Sequence, residues 1–229
     1  MKMKVGMLVA TLLLAAPAFS PALQAAEFTD GKQYTTFDKP ATAKPQALEF
    51  FSFYCPHCYA FEYDYGLPAK IESALPKDGE FIQYHVDFLG PLGPDLTRAW
   101  AVAMALGVEK QIQPVLFNGI QKTRTINSVA DIRNAFLQIG VSAQEYDSAL
   151  NSFMGNALGA KQQHAAQAYE LRGVPTVIID GKYQINMGGL PADSTEQFIQ
   201  SYDGVVKFLL QQPRAYTLLC KNRYIKTAM

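Results

Sequence analysis

The chain has 229 residues, 49% of them hydrophobic and 17% charged, with basic and acidic side chains in balance and no formal net charge. Those values suit a globular protein that buries a large core, and the length favours one domain carrying an insertion over two independent units. The neutral balance, without a basic stripe interleaved with aromatics, excludes an electrostatic case for nucleic-acid binding.

In chain order, Lys2 and Lys4 precede an apolar run at 5–16, followed by Pro17, Ser20, Pro21 and the small residues Ala25 and Ala26. A basic start, a short apolar centre and a small-residue exit predict a secretory signal peptide over 1–25. The apolar centre is shorter than a spanning helix needs. The mature chain is therefore expected to be soluble, exported and, having lost two lysines, slightly acidic.

A polar leading segment holds a short strand at 33–37. The near-continuous apolar run 47–54 suits a central strand buried on both faces. Residues 59–67 read as a helix that Pro68 kinks or ends, and 81–86, a second apolar stretch, as a third strand. Helix-length patterns cover 96–106, 108–120, 128–139, 143–153 and 157–171. Ser128 and Ser142 serve as N-caps, and Gly107, Gly140 and Gly155 lie in the intervening loops. Strands return at 175–179 and 182–185, joined by Asp180-Gly181, a hairpin signal. Residues 195–210 close as an amphipathic helix with Phe198, Ile199, Tyr202, Val205, Val206 and Leu209 on one face. This order predicts an α/β fold: a sheet domain from 26–92 and 172–213, and a helical insertion at 93–171. Beyond it, 214–229 form a basic tail with Arg214, Lys221, Arg223 and Lys226, a candidate for disorder.

The chemistry centres on Cys55-Pro56-His57-Cys58, delivered by the apolar strand. A bridge between residues three apart closes almost no loop and stabilises little, so a structural staple is a weak reading. Structural zinc wants four ligands in paired sets, and this chain has a single C-x-x-C, so no metal is expected. A reactive couple fits better. Where a strand ends and a helix begins, Cys55 would face unpaired backbone N–H groups and the positive end of the helix dipole. Both favour thiolate. Pro56 presets the first turn, His57 places a polar ring beside the sulfur, and Cys58 lies deeper and is less reactive. A stabilised thiolate makes the disulfide easier to reduce and hence a stronger oxidant. Cys220, alone in the basic tail, is expected to be inert.

The segments EFFSFYCPHCYAFE, YHVDF, AWAVAMALGV and RGVPTVIIDGKYQIN, in that order, resemble the DsbA family, periplasmic thiol:disulfide oxidoreductases of the thioredoxin superfamily. The likeness runs from about Phe28 to Leu210. It implies a thioredoxin-like fold with an inserted helical domain and a dithiol oxidase whose Cys55–Cys58 disulfide passes to newly exported proteins through a mixed disulfide at Cys55. No organic cofactor is implied, since the disulfide carries the electrons. It also implies a monomer located in the periplasm and re-oxidised by a DsbB-type membrane quinone reductase. At residue level it makes Pro175 the family's cis-proline, Val174 peptide-binding backbone, Glu49 a buried acid beneath the pair that relays protons, and Glu62 a second acid nearby. Gln83 departs from the pattern, standing where relatives commonly place a lysine. Two rival readings are a reductase or isomerase of the same fold and a chaperone-like binding module with a vestigial disulfide.

Overall fold

The computed structural model describes residues 28–214. The predicted signal peptide, Cys220 and the tail beyond Arg214 lie outside the described residues.

Five strands, β1 (Tyr34–Thr36), β2 (Gln46–Phe51), β3 (Glu80–His85), β4 (Thr176–Ile179) and β5 (Tyr183–Ile185), form one sheet in the order β1-β5-β4-β2-β3. β2 sits inside, parallel to β3 and antiparallel to β4. Being flanked on both edges and covered on both faces, it favours apolar side chains, and Ala47 to Phe51 are all buried, Glu49 being the one polar residue among them. Two helices, α1 (Pro56–Tyr59) and α2 (Leu67–Ala74), make the crossover that a parallel pair requires. β4 turns into β5 through Asp180 and Gly181, both left-handed at φ 52° and 67°. Short polar and glycine residues tolerate that conformation, which explains the hairpin signal.

Between β3 and β4 lie α3 (Gly93–Leu106), α4 (Glu109–Phe117), α5 (Val129–Gln138), α6 (Ala143–Asn151) and α7 (Phe153–Ala168). Ser128 and Ser142 cap their helices as expected, Ser142 in a reciprocal capping box with Glu145. The last helix, α8 (Thr195–Leu210), matches its predicted span and buries Tyr202, Val205, Val206 and Leu209.

Three local expectations need correction. Pro68 opens α2 rather than ending the preceding helix, its ring at a first-turn position where no N–H is missed. The residues before it form a π turn, Ala60–Asp64, closed by the Tyr65 N–H on the Ala60 carbonyl at 2.8 Å. Gly155 lies inside α7, not in a loop. Ser152 makes the break, and a Cβ at Gly155 would sit 2.2 Å from the Ala149 carbonyl oxygen, so the close approach of α6 to α7 is what requires glycine.

Candidate active site

β2 ends at Phe51, and α1 begins at Pro56. Cys55 is the N-cap residue between them, in extended conformation with φ −90° and ψ 111°. An N-cap side chain faces the first free N–H groups of its helix, and here the Cys58 N–H donates to Cys55 Sγ at 3.1 Å. Pro56 occupies the first helical position. Both cysteines are present as free thiols.

The two thiols are pushed in opposite directions. Cys55 is lowered from 9.0 to about 7, first by the hydrogen bond from the Cys58 side chain and further by the backbone N–H groups of Cys58 and His57, against the opposing cost of burial. Cys58 is pushed far up, chiefly by burial and then by Cys55. One sulfur is thereby arranged to carry charge and its neighbour to carry the proton. The Cys55 thiol also reaches the Val174 carbonyl at 3.3 Å. That contact sets the loop against the redox pair, and Val174 precedes Pro175 through a cis peptide bond.

Beneath the pair lies Glu49, 1% exposed. Burial raises its carboxyl from 4.5 to about 8, with Glu62 and Cys55 adding to the rise and the Gln83 hydrogen bond opposing it. Gln83 is the bridge: its side-chain nitrogen donates to Glu49 Oε2 at 2.8 Å and to Glu62 Oε2 at 3.1 Å. Gln113 from α4 donates to Glu62 at 3.3 Å. The neutral amide thus fills, by hydrogen bonding, the place where a charged partner was expected from the family pattern. Burial raises Glu62 as well. Glu49 in turn raises Cys58, so the acid stands close enough to be felt by the buried thiol.

The turn carrying Cys55 is pinned from outside by residues that no sequence motif singles out. The Phe53 N–H donates to His85 Nε2 at 3.2 Å, which leaves His85 Nδ1 to donate to Thr97 Oγ1 at 2.9 Å. Burial lowers His85 from 6.5 to about 3, so this ring is neutral. Gln121 donates to the carbonyls of Phe53 at 2.8 Å and Cys55 at 3.0 Å. No periodicity marks such residues, because each meets a backbone group many positions away.

On the thiol side, a cavity of about 290 Å³ is lined by His57, Phe61, Tyr65, Pro175, Met187 and Phe198 among others, a mostly apolar surface. All eight site residues singled out in the sequence fall in this one region: Cys55, Pro56, His57 and Cys58 at the turn, Val174 and Pro175 against it, Glu49 and Glu62 in the network below. No hydrogen bond between the His57 ring and Cys55 is seen among the described residues; the backbone N–H of His57 is what faces the sulfur. Among the described residues, no group of three or more His, Cys, Asp or Glu side chains is placed to hold a metal ion.

The family model of a DSBA-like thioredoxin domain matches residues 47–203. A thiol:disulfide interchange protein DsbA of Yersinia pestis is 54% identical over 195 residues, spanning 85% of this chain and 93% of that protein. The DsbA of Pectobacterium carotovorum subsp. carotovorum is 55% identical over 186 residues, spanning 81% of this chain and 90% of its own length. Among solved structures, a cysteine-to-serine variant of Proteus mirabilis DsbA with a non-covalently bound peptide aligns with TM-score 0.78 and 49% identity, covering 82% of this chain and 100% of that one.

Proposed function

This chain belongs to the DsbA-like thioredoxin family and is a disulfide-forming thiol:disulfide oxidoreductase, and from that premise we propose that it acts through a Cys55–Cys58 disulfide on reduced proteins newly exported to the periplasm. The observation that carries the assignment is the Cys58 N–H directed at Cys55 Sγ at 3.1 Å, beside a second thiol pushed far up by burial.

The reaction follows from that asymmetry. A client thiolate attacks Cys55 Sγ in the oxidised pair. The client–Cys55 bond forms, the Cys55–Cys58 bond breaks, and Cys58 leaves with the electron pair. Its high proton affinity draws a proton at once, and Glu49, protonated near neutral pH, is the donor at hand. A second client thiolate then attacks the client sulfur of the mixed disulfide and expels Cys55 as a thiolate, the better leaving group of the two. The client gains a disulfide, and the enzyme takes up two electrons.

Val174 and Pro175 present backbone beside the attacked sulfur, and the apolar cavity around His57 and Phe198 offers contact without sequence demand, which suits varied clients. The Proteus mirabilis relative that binds a peptide non-covalently supports this reading. A DsbB-type membrane quinone reductase is the proposed re-oxidant, and the protein is taken to act as a monomer, its helical block 93–171 serving as an inserted subdomain. No helix among the described residues is long and apolar enough to cross a membrane.

Two measurements test the assignment. Replacing Cys55 with serine should abolish oxidation of a thiol peptide; retained activity would favour a binding module. Equilibrium with glutathione should show an oxidising couple, as DsbA proteins generally have; a strongly reducing value would assign a reductase instead.

A further inference from the structure

The link between β2 and α1 is the part of the site with the least support of its own. Within residues 52–55 the backbone makes a single internal bond, from the Cys55 N–H to the Ser52 carbonyl at 3.0 Å. Side chains and the first turn of α1 supply the rest: Ser52 Oγ accepts the Tyr54 N–H, His85 accepts the Phe53 N–H, Gln121 holds the carbonyls of Phe53 and Cys55, and the Cys58 and Tyr59 N–H groups donate to the Cys55 carbonyl at 3.1 and 3.2 Å. α1 is only four residues long before it runs into the π turn Ala60–Asp64, so Cys55 caps a short and irregular helix.

We propose that Gln121 is a positioning residue for the redox pair, the contact through which the helical block fixes the backbone that aims Cys55. This deepens the reading that Cys55 is the attacked sulfur, and rests on it. One amide nitrogen spends its two hydrogens on carbonyls two residues apart, which fixes both peptide planes and also fixes which end of the amide faces them. The Cys55 carbonyl direction sets ψ of that residue, and ψ at 111° is what places Sγ over the Cys58 N–H. Without Gln121 the Phe53 carbonyl loses its donor and the Cys55 carbonyl keeps only the N–H groups of its own helix, which loosens the sulfur's aim. Gln121 reaches this position from a π turn, Asn118–Lys122, that extends α4 and closes with the Thr123 N–H on the Asn118 carbonyl at 2.9 Å. Such turns insert one residue into a helix and re-aim the side chains that follow. The next residue along, Lys122, sets its ammonium 4.2 Å from the centre of the Tyr59 ring, on the same redox element. One irregular turn therefore grips the redox helix at its cap and at its fourth residue.

Gln121→Met keeps length without donors, and Gln121→Glu sets acceptors against the two carbonyls. In both, the thiolate absorbance of the reduced protein should titrate at higher pH than in the parent. Turnover of a thiol peptide should fall roughly tenfold or more, within the range that small misplacements of reacting groups produce, with its KM unchanged, because Gln121 does not line the thiol-side cavity. Variants that lose global stability but titrate and turn over like the parent would reduce Gln121 to a strut and overturn the proposal. A check on the unmutated protein guards against variants that fail to fold: both side-chain amide hydrogens of Gln121 should exchange slowly with solvent, and rapid exchange would refute the clamp. Retained turnover in Cys55→Ser would be a separate failure, of the reading beneath.

Discussion

Glu49 meets one amide donor, from Gln83, and almost no water, so ionising it is costly. Its pH signature has a definite sign. Below the ordinary value of 4.5 the carboxyl is protonated whether the chain is folded or not, and it contributes nothing. As pH rises from 4.5 to the folded value of about 8, the unfolded chain releases a proton that the folded chain keeps, and stability falls. The slope is at most about 1.4 kcal/mol per pH unit. Glu49→Gln lacks this loss, so urea unfolding should show the variant gaining on the parent across that window and no further above it. Parallel curves from pH 4 to 9 would mean the acid is ionised in place. His57 gives the complementary test. Its backbone N–H helps lower Cys55, and His57→Leu keeps that group while removing the ring. The ring makes no hydrogen bond to Cys55 among the described residues, so its support of the thiolate rests on its polarity alone; on that reading the variant's thiolate absorbance should titrate higher and its disulfide should be a weaker oxidant. An unchanged titration would assign the whole effect to the helix N-terminus.

At the scale of elements, much of what could be read from the sequence was local. α6 begins with Ser142 and Glu145 bonded to each other's backbone, and such boxes are written in adjacent residues. Ser142→Ala should lower stability by about 1 kcal/mol in chemical denaturation and leave peptide oxidation untouched, since α6 carries no residue of the site; lost turnover at full stability would contradict that separation. The same locality made the cysteine motif, the Asp180-Gly181 turn and α8 legible. What escaped was register within helices and contact across the chain. The π turns at Ala60–Asp64 and Asn118–Lys122 keep helical composition, and one extra residue leaves no mark on an apolar period. Pro68 reads as a kink or end because proline disrupts a helix interior, yet the same ring suits a first turn, and only the preceding π turn shows which applies. Gln121 and Gln113 look like ordinary polar helix residues until folding brings them to the Phe53 and Cys55 carbonyls and to Glu62. Glu49 came from the family resemblance, because a carboxylate in an apolar strand could equally face solvent at the strand edge.

At the scale of the whole molecule, the redox state of two sulfurs should be read out in global stability. Oxidation joins residues three apart, so the bridge removes little disorder from the unfolded chain. It also abolishes the Cys55 thiolate and the hydrogen bonds that support it. The reduced form should then be the more stable of the two, which by linkage is the same statement as an oxidising disulfide, a general property of DsbA proteins. The pH dependence separates this cause from others. Below about 7 the Cys55 thiol is protonated in the folded and unfolded reduced chain alike, and it adds nothing. Between about 7 and the ordinary value of 9.0, the folded chain holds a thiolate where the unfolded chain holds a thiol, so the reduced form gains stability as pH rises. Above 9.0 that gain is complete, and Cys58, pushed far up by burial, begins to oppose it by retaining a proton the unfolded chain releases. Glu49 titrates in both redox forms, so its loss largely cancels in the difference between them. Urea unfolding of oxidised and reduced protein at pH 6, 7, 8 and 9 should therefore show the reduced form's lead widening above pH 7. A lead that stays constant or narrows over that range would mean that the anion at Cys55 is not what destabilises the disulfide, and that strain or packing in the oxidised state must supply the driving force instead.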